Sequence, residues 1–300
     1  MRIMKRLAIL SVLLACGRIA FAQHAEASHE GTTPPRLLLL VHQEFQPGKA
    51  SVRQKLEMAI SQACDRLSVP NARIDLESIT GRSEAVFFDP FDSFEQIDRA
   101  GAEWEKIFAK NPDIARLQEE IRALVSSERT VMAMRRDDLG YRVNSIDLSK
   151  ARVMRVLEVH LRPGHENEFV EAFKMLSAAY EKINSSTPFV VYQVNVGERS
   201  PSFLVFVPMT ALRQNDDLMA RRSTFLSDQG EEGSERMQQI ARDAYTSTES
   251  NLYVISPQRS HVGKESAAGD PEFWKRGLKT PHSKPAAKNS EGKPVEAKKN

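Results

Sequence analysis

The sequence predicts an α+β protein in which one strand–helix–strand–strand–helix–strand unit occurs twice. Three observations carry this reading. Residues 37–49 (LLLLVHQEFQPGK) and 153–165 (VMRVLEVHLRPGH) are apolar, strand-like runs that end in Pro-Gly and lead straight into an amphipathic helix. The glycine of each Pro-Gly stands 33 residues before a second glycine, Gly48 to Gly81 and Gly164 to Gly197. A third apolar run then reaches Pro90 in one copy and Pro208 in the other. A period this long marks a duplicated domain rather than a solenoid.

The elements follow in order. Residues 1–22 open with basic side chains, continue with an apolar run from Leu7 to Ala15 and end Ala20-Phe21-Ala22. This is the pattern of a secretory signal peptide cleaved after Ala22, and its apolar run is too short to span a membrane. The expected location is therefore periplasmic or extracellular. A lipoprotein anchored at Cys16, reading Leu13-Leu14-Ala15-Cys16 as a lipobox, is the alternative. Residues 23–34 read as a flexible leader, in preference to the alternative that His24 with His29 holds a metal loosely.

The first domain is expected over 35–142. Its first helix places Val52, Leu56, Ala59, Ile60, Ala63 and Leu67 at helical spacing, with Ser51 and Gln54 as a capping box. A strand follows to Gly81, then a strand to Pro90, a long helical region over 93–127 and a short strand at 131–134. A linker at 143–150 leads to the second domain at 151–262. There Phe169, Ala172, Phe173, Leu176, Tyr180 and Ile183 form the helix stripe. Strands end at Gly197 and Pro208, a helical region covers 210–247 and a short strand lies at 252–255. Residues 263–300, rich in Lys, Pro, Ala and Ser, are expected to be a disordered basic tail, with Phe273-Trp274 as a candidate docking anchor.

Charge narrows the partners. Four basic residues and no acid in 1–22, and nine basic against five acidic residues in 263–300, leave the body at −6 within a formal net charge of +2. An acidic body is a poor match for a phosphate backbone, so no nucleic-acid partner is expected. The basic tail could associate with an anionic envelope surface. Once the signal peptide is removed Cys64 is the only thiol, so no internal disulfide is expected, and its helical setting reads as packing. No CxxC, zincin, GxGxxG, Walker or GxSxG motif occurs, and no metal site is expected.

Two such units, each with Pro-Gly between its first strand and first helix, resemble the dimeric α/β-barrel superfamily of ferredoxin-like domains. That superfamily includes the antibiotic-biosynthesis monooxygenase group and NIPSNAP-like proteins. The resemblance covers roughly residues 35–260. It implies that the two tandem ferredoxin-like βαββαβ domains pair their sheets as a dimeric-type α/β barrel, within one chain or between two. Some members of the superfamily bind haem through a helical His. Here no His lies between His165 and His261 and none lies on the first copy's helices, so no cofactor is expected, although His42 or His160 on a strand could in principle ligate iron.

Strand alternation separates the faces. Leu38, Leu40, His42, Glu44 and Gln46 share one row of the first strand. Met154, Val156, Glu158, His160 and Arg162 share the matching row of the fifth. One copy reads His-x-Glu where the other reads Glu-x-His. In the second strands, Ile74, Leu76, Val190, Tyr192 and Val194 read as helix-covered rows, which would turn Asp75, Glu77, Gln193 and Asn195 into the barrel. The candidate ligand-binding residues are therefore His42, Glu44, Glu158, His160, Arg162, Gln193 and Asn195. The expected function is binding of a small organic ligand in the inter-domain barrel without strong catalysis. One alternative is a cofactor-independent monooxygenase acting on an aromatic or quinone-like substrate, with His160, Glu158, His42 or Glu44 as its catalytic groups. The other is an interaction module whose barrel is filled by side chains.

Overall fold

The structure, a computed structural model, describes residues 32–69, 71–220 and 230–275. The first repeat comprises β1 (Leu37–Phe45), α1 (Ala50–Leu67), β2 (Ile74–Ser78), β3 (Glu84–Phe91), α2 (Phe94–Lys110), α3 (Pro112–Arg122) and β4 (Val125–Arg135). The second comprises β5 (Val153–Leu161), α4 (Glu166–Lys182), β6 (Val190–Val196), β7 (Ser202–Met209), α5 (Gly230–Ala244) and β8 (Tyr245–Ile255). All pairings among these strands are antiparallel, and the eight close into one barrel in the order β1-β3-β2-β8-β5-β7-β6-β4. Each repeat contributes a contiguous four-stranded sheet. The seams are β2–β8 and β4–β6, so the barrel closes within a single chain and its strands keep no free edge.

The repeated glycines sit at those seams. Gly81 (φ +77°) and Gly197 (φ +96°) occupy backbone conformations that disfavour a side chain. A β-carbon at Gly81 would overlap the Asn251 side chain of β8, and one at Gly197 would overlap the Thr130 carbonyl of β4. The equal spacing in the two copies thus reflects close approach of one repeat to the other.

Three elements differ from the sequence-based expectation. The Ser51–Gln54 capping box does not form. The first helix starts two residues earlier than that box requires, with Lys49 at the cap position and no side-chain cap, so Ser51 and Gln54 lie inside α1. The helical region at 93–127 breaks in two because Pro112 cannot donate a backbone hydrogen bond; it takes the first position of α3, and Asn111 ends α2. The closing strands of both repeats are longer than their apolar cores. β4 and β8 begin with exposed polar stretches whose residues, such as Arg129 opposite His42 and Glu249 opposite Glu158, carry no apolar alternation to read.

The interior of the barrel is one apolar core fed by all eight strands, including Leu38, Leu40, Leu76, Phe88, Tyr192, Phe206 and Tyr253. Phe206 meets Phe88 and Tyr192 edge-to-face at ring separations of 5.7 and 5.6 Å. One end is closed by Ile146 and Leu148 from between the repeats and by Trp274. The expectation of an unstructured tail from residue 263 is corrected here. Lys264–Gly269 (α6) and Pro271–Trp274 (α7) are helical because Asp270 caps Pro271 at the first helical position, and the apolar pair behind them finds a seat. Trp274 donates its indole N–H to the Ser149 carbonyl at 2.9 Å, and the Arg152 guanidinium lies 3.5 Å over the Phe273 ring. Residues 276–300, and the expected signal peptide at 1–22, lie outside the described residues. No helix among those described is long and apolar enough to cross a membrane.

Candidate functional site

The sequence-derived candidates divide into three groups. His42, Glu158 and His160 come together at the open mouth of the barrel. The strand order puts β1 and β5 on opposite walls, and His42 and Glu158 border the same small void. His42 Nδ1 lies 3.2 Å from Glu84 Oε2, and the Tyr253 hydroxyl donates to Glu84 Oε1 at 2.8 Å. Burial pulls the Glu84 carboxyl upward, but the hydrogen bonds from His42 and Tyr253 outweigh it and hold the group below its ordinary value. Arg129, beside His42 on β4, reaches across the mouth to donate to Glu158 at 3.0 Å and also pairs with Glu198, while on the far wall His160 sits 3.2 Å from Glu158 and 2.7 Å from the Ser202 hydroxyl. Arg129, Glu84, Glu198, Ser202 and Tyr253 are not among the sequence candidates. They reach the mouth through strand register, which one chain's alternation does not disclose.

Glu44 and Arg162 stand apart from this cluster. Glu44 turns to the exposed Arg82, which donates to it at 3.0 Å, and Arg162 is exposed at the Pro-Gly turn. Gln193 and Asn195 require a correction. Ile74, Leu76, Val190, Tyr192 and Val194 face the barrel interior, so Gln193 points outward and accepts a hydrogen bond from Arg136 at 2.9 Å, and Asn195 is exposed. The filled barrel takes the apolar row of both second strands, and the row beneath the helices is charged in the first repeat, with Asp75 and Glu77, and mostly apolar in the second.

The expected barrel cavity is likewise corrected. The void at the mouth measures about 20 Å³ and the one beneath Trp274 also about 20 Å³. That is room for about one water each. A much larger cavity, about 280 Å³, lies outside the barrel, between the sheet and the helices of the first repeat. Leu39, Phe87 and Phe91 form its floor, and Ile60 of α1, Ile97 and Trp104 of α2 and Ile121 of α3 form its roof. Gln43, Glu57, Arg73, Asp89, Arg259 and His261 provide its polar edge.

Two ionic groups organise that edge. Arg73 binds Asp89 through two parallel bonds of 2.7 and 2.6 Å, its guanidinium 4.9 Å over the Phe87 ring. Arg259 binds the fully buried Asp75 through bonds of 2.9 and 3.0 Å and reaches Glu77 at 2.7 Å; Arg53 also pairs with Glu77. Glu57 is buried beside them. Arg259 Nε lies 3.2 Å from its Oε2 but aims its N–H at Asp75, and Arg53 Nε is 3.7 Å away. Neither oxygen of Glu57 receives a hydrogen bond. Burial, and next the charge of Asp75, push its carboxyl up to about 8 against the pull of Arg53 and Arg259. Three carboxylates face two guanidiniums, and a proton on Glu57 balances them.

Two ferredoxin-like repeats closed into one eight-stranded barrel define the dimeric α/β-barrel (ferredoxin-like) fold, here completed by a single chain. No protein-family model matches the sequence, and no curated protein matches it. Solved structures of similar shape exist at very low identity. An anthrone oxidase-like protein matches with a TM-score of 0.49 and 12% identity, over 76% of this chain and 93% of its own. A mutant chlorite dismutase from Candidatus Nitrospira defluvii matches at 0.44 and 8%, over 76% and 93%. A haem-binding protein from Thermus thermophilus matches at 0.41 and 11%, over 77% and 97%.

Among the described residues, those lining the large cavity do not fit a haem. The one His that borders the large cavity, His261, has Nδ1 on Asp65 at 2.6 Å and Nε2 on the Val69 carbonyl at 2.8 Å, so no ring nitrogen is offered to an iron. Among the described residues no group of three or more His, Cys, Asp or Glu is placed to hold a metal ion.

Proposed function

We propose that this is an exported protein that binds a small organic molecule, without strong catalysis, in the sheet–helix cavity of its first repeat. The observation that carries the reading is the contrast in space: about 280 Å³ in that cavity against about 20 Å³ in the barrel. Ligand sites are concave, mostly apolar and edged by a few polar groups, and the cavity has that character at the small end of the usual size range. The monooxygenase alternative with His42, Glu44, Glu158 and His160 loses support, because the pairs around His42, Glu158 and His160 enclose no substrate-sized space. The filled barrel favours a structural role for the barrel itself. Export rests on the N-terminal pattern, and envelope association on the basic surplus after residue 263. Cell fractionation with and without residues 1–22 tests the location.

Native mass spectrometry of the protein purified from its own source tests the binding. A retained organic mass is expected in the wild type and its loss in Ala100→Phe, which fills the cavity from α2. Equal retention by both proteins, or apo protein alone, contradicts the reading.

A further inference from the structure

The two copies can be matched residue by residue where the cavity lies. Beyond the closing strands, Tyr141 bridges Phe189 in one copy and His261 bridges Arg73 in the other, each pair antiparallel. Cys64 of α1 and Tyr180 of α4 stand at the same distance after Gly48 and Gly164. Tyr180, Phe189 and Tyr141 of one set thus correspond to Cys64, Arg73 and His261 of the other. In the aromatic set the rings pack on one another, Tyr180 meeting Phe189 at 5.4 Å and Tyr141 at 5.5 Å, both edge-to-face. In the other set all three residues line the first-repeat cavity. Where Tyr180 carries a phenol ring, Cys64 carries only a thiol, and open space lies beside it.

The polar ends of Arg73 and His261 are engaged within the protein, the first by Asp89 and the second by Asp65 and the Val69 carbonyl. Both are planar groups, and the aromatic side chains Phe87 and Trp104 line the same space. Planar guanidinium and aromatic surfaces favour a flat, polarisable partner.

Building on the ligand-binding reading above, we infer that the cavity takes a flat aromatic molecule of one or two rings, one ring of which fills the place that the Tyr180 ring fills in the second repeat. A dry apolar cavity of about 150 Å³ takes one benzene ring. The cavity here, about 280 Å³, has room for two fused rings. The second copy shows that this layer packs around an aromatic ring, because there the chain supplies one of its own.

Equilibrium dialysis at pH 7 with 2-naphthol and decahydro-2-naphthol, which share a skeleton and a hydroxyl but differ in flatness, tests the inference. The wild type is expected to bind 2-naphthol about fivefold more tightly than its saturated counterpart, the margin that ring–ring contacts add to burial. Cys64→Tyr restores the missing ring, and its 2-naphthol affinity should fall about tenfold or more; in Cys64→Leu, a milder filling, it should fall about threefold. Urea midpoints report whether each variant is folded. In Ala100→Phe both probes should lose binding. Decahydro-2-naphthol bound as tightly as 2-naphthol would overturn the aromatic assignment. Affinity for 2-naphthol unchanged in folded Cys64→Leu or Cys64→Tyr would overturn the place of the ring. Either result, with binding lost in Ala100→Phe, leaves the cavity as a binding site. Binding that survives Ala100→Phe, or no binding of 2-naphthol, would overturn the cavity reading and this inference with it.

Discussion

The two repeats build the same sheet–helix layer from opposite chemistry. Aligned through Gly48/Gly164 and Gly81/Gly197, Arg53 corresponds to Phe169, Glu57 to Phe173, Arg73 to Phe189, Asp75 to Val191 and Gln43 to Val159. In the second repeat those residues, with Phe203, form a buried apolar cluster; Phe169 stacks on Phe203 at 4.0 Å and on Phe173 at 4.3 Å. In the first they are a buried network of ion pairs beside a cavity. The fold accepts either solution, so the charged one is not a requirement of the architecture. Buried ion pairs seldom stabilise more than well-packed apolar residues of the same size. The first repeat therefore carries an arrangement that favours a pocket over packing.

The contrast can be broken most strongly on the aromatic side. Phe169 is fully buried, and Phe169→Ala should cost about 3–5 kcal/mol. Ile60→Ala, at the wall of the first-repeat cavity, should cost about 2 kcal/mol, the bottom of the range for such truncations, because its neighbours already border empty space. Urea midpoints measure both. Equal losses would mean that the two layers are packed alike.

The next largest effect is a pH dependence confined to the first repeat. The Glu57 carboxyl is raised from 4.5 to about 8 in the folded protein. The folded state therefore holds a proton that the unfolded state has lost between those values. Stability from this group is full below about pH 4.5, declines as the pH rises and is gone above about 8. Glu57→Gln removes the titration. Its stability should match or trail the wild type at pH 5 and exceed it at pH 9, by an amount on the order of a few kcal/mol. Denaturation at the two pH values checks the sign, and a difference that does not change with pH would remove Glu57 from this role. The smallest effects belong to residues outside both layers: Arg162→Ala and Asn195→Ala, both exposed, should leave the urea midpoint and 2-naphthol affinity unchanged within error.

Much of this architecture is readable from the chain. Pro-Gly junctions, seam glycines and strand periodicity locate the repeats, and alternation correctly places Leu38, Leu40, His42, Val156 and Glu158 on the barrel side. The second strands mislead because Asp75 and Glu77 look like cavity residues when the interior is imagined wet. Their partners explain the reversal. Arg53 approaches from α1 and Arg259 from beyond β8, 184 residues after Asp75, and no local pattern announces such a pairing. The cavity itself is a matter of side-chain volume. Comparison of the repeats gives the available hint, since Gln43, Arg53, Glu57 and Arg73 stand where the second copy has Val and Phe.

The most direct measurement is a crystal structure of the protein soaked with 2-naphthol. The expected result is ligand density between Trp104 of α2 and Phe87 of β3, with the barrel interior unchanged. Density inside the barrel beside His42 and Glu158, or an empty first-repeat cavity at saturating probe, would contradict it.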